Sequence, residues 1–145
     1  MISTLELIWT NRVLTGSQTP VRFLDFVVDG EPLYPVMGDV ISPLGWLPAE
    51  QNKLAADRLL RKATADFPDG RRSLYVCPEC AGPGCGAVSV IIERQGDNII
   101  WRDFGYQNDY DETVHFEDFE DLGPFTFDAS DYYRVISSAL DLKDE

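Results

Sequence analysis

The sequence contains little positive charge. Its 145 residues include 12 Lys and Arg and one His against 25 Asp and Glu, which gives a formal net charge of −13. A protein that binds nucleic acid through the phosphates needs an excess of cations on its binding face. We therefore expect no direct contact with nucleic acid, and we expect a partner that carries positive charge.

Long hydrophobic runs are also missing. No apolar stretch approaches the roughly 18 residues that a membrane-spanning helix requires. Residues 1–6 have neither the basic region nor the apolar segment of a signal peptide. The three cysteines form an odd set, which is typical of a reducing compartment. These absences predict a cytoplasmic protein without membrane contact.

Recognised catalytic motifs are absent. The sequence has no phosphate-binding Gly-x-x-x-x-Gly-Lys, no dinucleotide fingerprint and no His-Glu-x-x-His. Cys85 and His115 have the residue types of a thiol nucleophile and its base, but no nucleophile motif surrounds Cys85. The carboxylates of residues 117–121 lack the spacing of an EF-hand loop. We predict no enzymatic activity and no cofactor.

The strand patterns are clear. Residues 21–28 form a β-branched and aromatic run that ends at the turn dipeptide Asp29-Gly30, and residues 5–9 are typical of a shorter strand. Residues 86–104 give the clearest hairpin, with its turn at 95–98. Prolines and glycines between residues 32 and 45 predict a loop packed over the core, or alternatively an exposed aromatic contact loop.

Two segments show helical spacing. Pro48 suits the first turn of a helix over residues 48–66. Its apolar stripe comprises Leu54, Ala55, Leu59, Ala63 and Phe67. Asp128 or Ser130 can cap a second helix over residues 130–140. Its buried stripe comprises Tyr133, Ile136 and Leu140. With the strands, these helices predict a single α+β domain over residues 1–145, in which about two helices pack on an antiparallel sheet.

Half of the cations lie in or directly after the first helix. They are Lys53, Arg58, Arg61, Lys62, Arg71 and Arg72. We predict that they form a solvated face that partly neutralises the acidic half of the chain.

The most motif-like segment is Cys77-Pro-Glu-Cys80, which Cys85 follows in a Gly/Pro-rich turn. Three readings stay open. With His115 as a fourth ligand, the cysteines could bind a structural zinc; Cys-x-x-Cys could be a redox pair; or the thiols could be reduced and packed beneath the hairpin. Because the fourth ligand is weakly supported, we predict that the protein binds no metal.

At these residues the chain resembles uncharacterised small bacterial proteins. They share a Cys-Pro-x-Cys…Gly-Cys-Gly-Ala element followed by a hairpin, and the resemblance covers roughly residues 74–106. The shared segments are Cys77-Pro78-Glu79-Cys80, Gly84-Cys85-Gly86-Ala87 and Trp101-Arg102-Asp103-Phe104. The resemblance implies a fold family and no particular activity.

The acidic residues are concentrated in the last part of the chain. Residues 103–145 carry a net charge of −11 and several aromatic side chains. Aromatic anchors among carboxylates suit docking onto a basic site, since charge raises the association rate and the aromatics supply affinity. The predicted partner-binding residues are Asp103, Tyr106, Asp109, Tyr110, Asp111, Glu112, Glu117, Asp118, Phe119, Glu120 and Asp121. The alternative is that the aromatics are core and the carboxylates only solubilise the chain.

In this general character the protein is similar to immunity proteins, which cover the basic cleft of a bacterial toxin. A protein that mimics DNA would use the same physics. We therefore predict an acidic binding protein that stoichiometrically inhibits a basic protein partner such as a cognate toxin. The alternative function is a small zinc-binding or Cys-dependent enzyme domain.

Overall fold

The structure is a computed structural model, and it describes residues 2–13, 20–38, 40–78, 86–108 and 111–141, with the backbone alone at residues 111 and 112. It confirms the α+β class, since antiparallel sheets combine with two helices in the part of the chain that it describes. The elements are β1 (Leu5–Arg12), β2 (Val21–Val28), β3 (Glu31–Pro32), α1 (Ala49–Leu59), β4 (Arg72–Val76), β5 (Ala87–Gln95), β6 (Asn98–Asn108), β7 (Asp111–His115), β8 (Phe125–Asp128) and α2 (Ala129–Ser138).

The first sheet has the order β1-β2-β3. β1 and β2 are antiparallel over eight residue pairs, from Leu5 opposite Val28 to Arg12 opposite Val21. Asp29 and Gly30 then reverse the chain into β3 with φ values of +52° and +84°. A turn with two positive φ values matches the twist of the strands that it joins. The predicted strand over residues 21–28 and the turn after it are confirmed.

The second sheet has the order β4-β5-β6-β7, and β8 pairs with the first part of β6 on the same edge as β7. The predicted β5–β6 hairpin is confirmed, with Gln95 opposite Asn98 at its turn. Its register shifts between Ser89 and Ile91, and Asp103 takes a φ of +57° in the facing part of β6. This bulge turns the Asp103 side chain outward, where it is exposed.

Trp101 of β6 is the centre of the core. Its ring meets Phe26 and Phe127 edge-on, with ring centroids 5.4 and 5.0 Å apart. The Trp101 Nε1 group donates a hydrogen bond of 3.1 Å to the Tyr132 hydroxyl, which donates one of 2.6 Å to the Leu59 carbonyl. The core is therefore continuous from β2 and β6 to both helices.

The helices differ from their predicted bounds and faces. α1 begins after Pro48 as predicted but ends at Leu59, and Arg61 then takes a φ of +62°. Leu54 is not on the buried stripe, because it is 43% exposed while the core-facing residues of α1 are Ala55, Ala56 and Leu59. The predicted helix to residue 66 was therefore too long, since the positive φ at Arg61 ends it.

α2 is capped as predicted, since the Asp128 carboxylate accepts a hydrogen bond of 3.1 Å from the Asp131 amide. Its buried side chains include Tyr132 and Ile136, whereas Leu140 is exposed. The predicted stripe was therefore correct at Ile136 and wrong at Leu140. The helix ends before Leu140, and Tyr132 faces α1.

The segment between β3 and α1 packs over the core, as predicted. Leu33, Ile41 and Leu44 are buried, and the backbone of Ile41 exchanges hydrogen bonds of 3.0 and 2.7 Å with Val76 of β4. Val36 is the exception, because it is exposed. Among the described residues, no helix has the length and apolar character that crossing a membrane requires.

Candidate interaction surface

The carboxylates of residues 117–121 surround a 3₁₀ turn at Glu117–Phe119, directly after β7. The Phe119 amide donates to the Phe116 carbonyl at 2.9 Å, and the Leu122 amide donates to the Phe119 carbonyl at 3.0 Å. Phe119 is 7% exposed and packs into the core. Because the ring points inward, the turn directs the neighbouring carboxylates toward solvent, and all four are exposed.

Two apolar side chains lie beside this turn. Val36 is 57% exposed and Phe116 is 42% exposed. Val36 lines a shallow depression of about 270 Å³ together with the four carboxylates and Leu122. We call the exposed side chains of Val36, Phe116, Glu117, Asp118, Glu120 and Asp121 the acidic surface. Exposed apolar side chains with a polar rim are a feature of interaction sites.

Asp103 lies close to this surface but is already paired. Arg102 forms an ion pair with the Asp103 carboxylate and a second one, of 2.9 Å, with Glu93. The hydrogen bond to Glu93 raises the pKa of Arg102, which favours its charged form. The negative charge of Asp103 is thus partly neutralised within the chain, and Asp103 offers less to a partner than the carboxylates of the acidic surface.

Tyr106 is half-buried and lies opposite His115 on β7. Its ring fills the space above Gly86, where an added Cβ would lie 2.1 Å from the Tyr106 hydroxyl. The ring also lines a hollow of about 540 Å³ that includes Val36 and Asp118. Tyr106 is therefore partly core and only borders the acidic surface. Asp109 and Tyr110 lie outside the described residues, as do the side chains of Asp111 and Glu112.

The two phenylalanines beside the turn differ in exposure. Phe119, a predicted partner-binding residue, is buried, whereas Phe116, which is not in the predicted set, is exposed. β7 ends at His115, and the 3₁₀ turn that follows changes which residues point inward. The residues from 113 to 119 alternate as in a strand, and this pattern does not show where the strand ends.

Arg71 lies buried beneath Phe116. It is 4% exposed, and its guanidinium carbon is 5.3 Å from the centroid of the Phe116 ring. Gly105 makes this approach possible, since a Cβ there would lie 3.1 Å from Phe116 and 2.6 Å from Val114. One face of the Phe116 ring therefore covers a cation, and the ring remains exposed on its outer side.

Neutral oxygen atoms from three residues hold the Arg71 guanidinium. Its Nε donates to the Ser89 hydroxyl at 2.9 Å and to Gln107 Oε1 at 3.1 Å. Its Nη2 donates to the Ser89 carbonyl at 2.9 Å and to the Asp103 carbonyl in the bulge. Burial lowers the pKa of Arg71, and the charges of Asp69 and Asp103 oppose this effect. The prediction of a solvated cation was wrong for Arg71, because two strands, β5 and β6, supply acceptors for it.

The cysteine segment is only partly described. Cys77 is half-buried at the end of β4, and Cys80 and Cys85 lie outside the described residues. β4 and β7 are separated by β5 and β6, so His115 lies three inter-strand spacings of about 4.8 Å each from β4. His115 therefore does not lie beside Cys77, as two ligands of one metal ion would have to. Among the residues with described positions, no group of three metal-binding side chains occurs.

A buried ionisable pair connects the two sheets. Asp25 of β2 is buried, and its carboxylate accepts hydrogen bonds of 2.5 Å from the Tyr75 hydroxyl and 3.4 Å from the Tyr34 amide. Burial raises the pKa of Asp25, and the hydrogen bond from Tyr75 opposes that rise. Burial and the adjacent Asp25 charge raise the pKa of Tyr75 well above 10. The pair stabilises the fold and has no exposed reactive atom.

Comparison with known proteins found no matching family model, no matching curated protein and no matching solved structure.

Proposed function

We propose that this protein binds a basic protein partner through the acidic surface and inhibits it by covering its basic site. The complex would be stoichiometric, and the type of partner is the one that immunity proteins have, a toxin with a cationic cleft. The proposal places the protein in the cytoplasm, where an immunity protein meets its toxin. It includes no catalytic step, no metal and no direct contact with nucleic acid or membrane.

The proposal rests on the Glu117–Phe119 turn, where the residue that packs in the core is not one of the residues that carry charge. Phe119 anchors the turn in the core, and the four neighbouring carboxylates are exposed. Within the described part of the chain, these four carboxylates form one ion pair, a 4.0 Å approach of Glu117 to His115. Their charge is therefore directed at solvent and available to a partner.

The apolar side chains of the acidic surface contribute affinity that exposed charges alone do not provide. Exposed carboxylates accelerate diffusional encounter with a cationic partner, but contacts between solvated charges contribute little affinity. Val36 and Phe116 lie on either side of the turn and can be buried on docking. Burial of apolar area contributes roughly 25 cal/mol per Å², so the two side chains can lengthen the lifetime of the complex.

Affinity capture from lysate of the source cells tests the proposal. The immobilised wild-type protein is compared with a variant in which Glu117, Asp118, Glu120 and Asp121 are all replaced by Lys. A control variant of the same net charge carries Lys at Glu6, Glu31, Glu50 and Asp141, which are exposed elsewhere on the chain. We expect the wild type and the control to retain the same basic protein at low salt, and the first variant to lose it.

Two results would contradict the proposal. One is retention of the same partner by the variant with Lys at residues 117, 118, 120 and 121. The other is equal loss from both variants, which would show that net charge matters and the acidic surface does not. The activity of the captured protein is then assayed with increasing amounts of the acidic protein. Inhibition of that activity should saturate at a fixed molar ratio of the two proteins.

A further inference from the structure

We infer that the acidic surface contains a specific receptor for an arginine side chain of the partner. The receptor is the depression between Phe116 and Glu120, which has a volume of about 410 Å³. We call it the Phe116 groove. This inference rests on the proposed function and goes further, because it names the chemical group that the surface prefers.

The floor and walls of the groove are largely apolar and aromatic. The apolar lining comprises Phe104, Phe116, Phe119, Leu122 and Pro124. Phe104 and Phe119 are buried and fix the floor, whereas Phe116 is exposed and forms a wall. A groove of this volume and lining can bury the aliphatic stem of a long side chain, and its aromatic wall offers a flat surface for stacking.

The charges around the groove favour a cation. Arg102 and Asp103 also line it, but they form an ion pair with each other, and Arg102 forms another with Glu93. Glu120 lines the groove as well, and the described residues give its carboxylate no ion-pair partner. The groove therefore presents one unpaired carboxylate next to an exposed aromatic ring.

A guanidinium group fits this combination better than an ammonium group does. It is planar and weakly hydrated, so it stacks on an aromatic face, and it binds a carboxylate with two parallel hydrogen bonds. The Phe116 ring already accepts one guanidinium, that of Arg71, on its inner face. The partner's arginine would lie on the outer side of the same ring, with its head at Glu120.

Repulsion between cations does not prevent this arrangement. Arg71 and Arg102 lie near the groove, but five exposed carboxylates line the groove and the adjoining depression. These are Asp103, Glu117, Asp118, Glu120 and Asp121. The local field is therefore negative, and an additional cation is attracted.

Two short peptides test the inference without the natural partner. Acetylated, amidated hexa-arginine and hexa-lysine carry the same charge, so a difference in their affinity reports on the chemistry of the cationic group. We measure binding of each by calorimetry at low ionic strength. We expect hexa-arginine to bind roughly threefold to tenfold more tightly to the wild-type protein.

Phe116→Leu keeps an apolar side chain and removes the aromatic face. We expect it to lower hexa-arginine affinity to near that of hexa-lysine and so to abolish the preference for arginine, while the exposed control Leu54→Ala retains the preference. Thermal melting checks that Phe116→Leu folds. If it does not fold, Glu120→Gln replaces it, and the preference for arginine should then decrease because the paired hydrogen bonds are lost.

Equal binding of both peptides to the wild type would overturn the inference and leave the proposed function standing. A preference for arginine that survives both substitutions would also overturn it. If neither peptide binds, the acidic surface has no affinity for cations, and the proposed function falls together with the inference.

Discussion

The buried charges of this protein and the exposed charges of the acidic surface have different roles. Asp25 and Arg71 are buried, and each lies within a set of hydrogen bonds that closes inside the fold. The carboxylates at Glu117, Asp118, Glu120 and Asp121 are exposed. Removing a partner from a buried charge is costly, whereas an exposed charge contributes little to stability. The first group therefore maintains the structure, and the second is not required for it, as the proposed binding role demands.

Phe116 connects the buried Arg71 with the acidic surface. Phe116 covers the buried Arg71 with one face and remains exposed on the other. Arg71 in turn donates to the Asp103 carbonyl, which stabilises the bulge that directs the Asp103 carboxylate outward. Substitutions at buried positions should act on folding first, substitutions of the four exposed carboxylates should act mainly on binding, and substitutions of Phe116 can affect both.

The largest expected effect on folding is that of Arg71→Met. The change leaves the acceptors at Ser89, Asp103 and Gln107 without their donor, and the free energy of unfolding should fall by about 2–4 kcal/mol. Arg94→Met is the matched control, because Arg94 is exposed and also lies over an aromatic ring, that of Tyr133. Urea unfolding compares the two. Equal losses would show that Arg71 has no special structural role.

The next largest effect should come from Tyr75→Phe. Removing the hydroxyl deprives the buried Asp25 carboxylate of its 2.5 Å hydrogen bond, and the free energy of unfolding should fall by about 1–3 kcal/mol. Tyr133→Phe, the control, removes a hydroxyl from a half-buried ring. It should change the free energy of unfolding by under about 1 kcal/mol. A Tyr75→Phe protein as stable as the wild type would contradict the importance of this pair.

The raised pKa of Asp25 predicts that the stability of the protein depends on pH. Because burial raises its pKa above the ordinary 3.8, the folded state binds this proton more tightly than the unfolded state does. As pH rises from 3.8 through the raised folded pKa, the wild type should lose stability relative to Asp25→Asn, and above that window the difference should be constant. Unfolding curves of both proteins from acid to neutral pH measure this. A difference that grows in favour of the wild type with rising pH would contradict the assignment.

The smallest effect on folding should be that of the fourfold Lys variant at residues 117, 118, 120 and 121. Each position is exposed, so the free energy of unfolding should change by less than about 1 kcal/mol in total. Relief of repulsion among the carboxylates acts in the stabilising direction. Thermal and urea unfolding measure the change. A loss comparable to that of Arg71→Met would mean that these carboxylates belong to the fold.

The sequence predicted the features that depend on local patterns. The β-branched and aromatic run and the Asp29-Gly30 dipeptide were sufficient for β2 and its turn, and Asp128 was recognisable as a helix cap. The end of α1 was not predictable in this way, because the apolar spacing continues past Arg61, where a positive φ ends the helix.

The acidic surface was predictable in part. The concentration of carboxylates after residue 103 located it. Which of Phe116 and Phe119 is exposed depends on where β7 ends and the 3₁₀ turn begins, and the sequence does not show this. The burial of Arg71 was not predictable from its own neighbourhood in the chain. Its acceptors come from Ser89, Asp103 and Gln107, which only the pairing of β5 with β6 brings together.

The rate of association with the captured basic partner tests the central claim most directly. The measurement compares the wild type, the fourfold Lys variant of the acidic surface and the equally charged control variant over a range of ionic strength. We predict that reversal of the acidic surface lowers the association rate constant at low salt by roughly tenfold or more and removes most of its salt dependence, while the control changes much less. An association rate constant that is the same for the wild type and the acidic-surface variant would contradict the account.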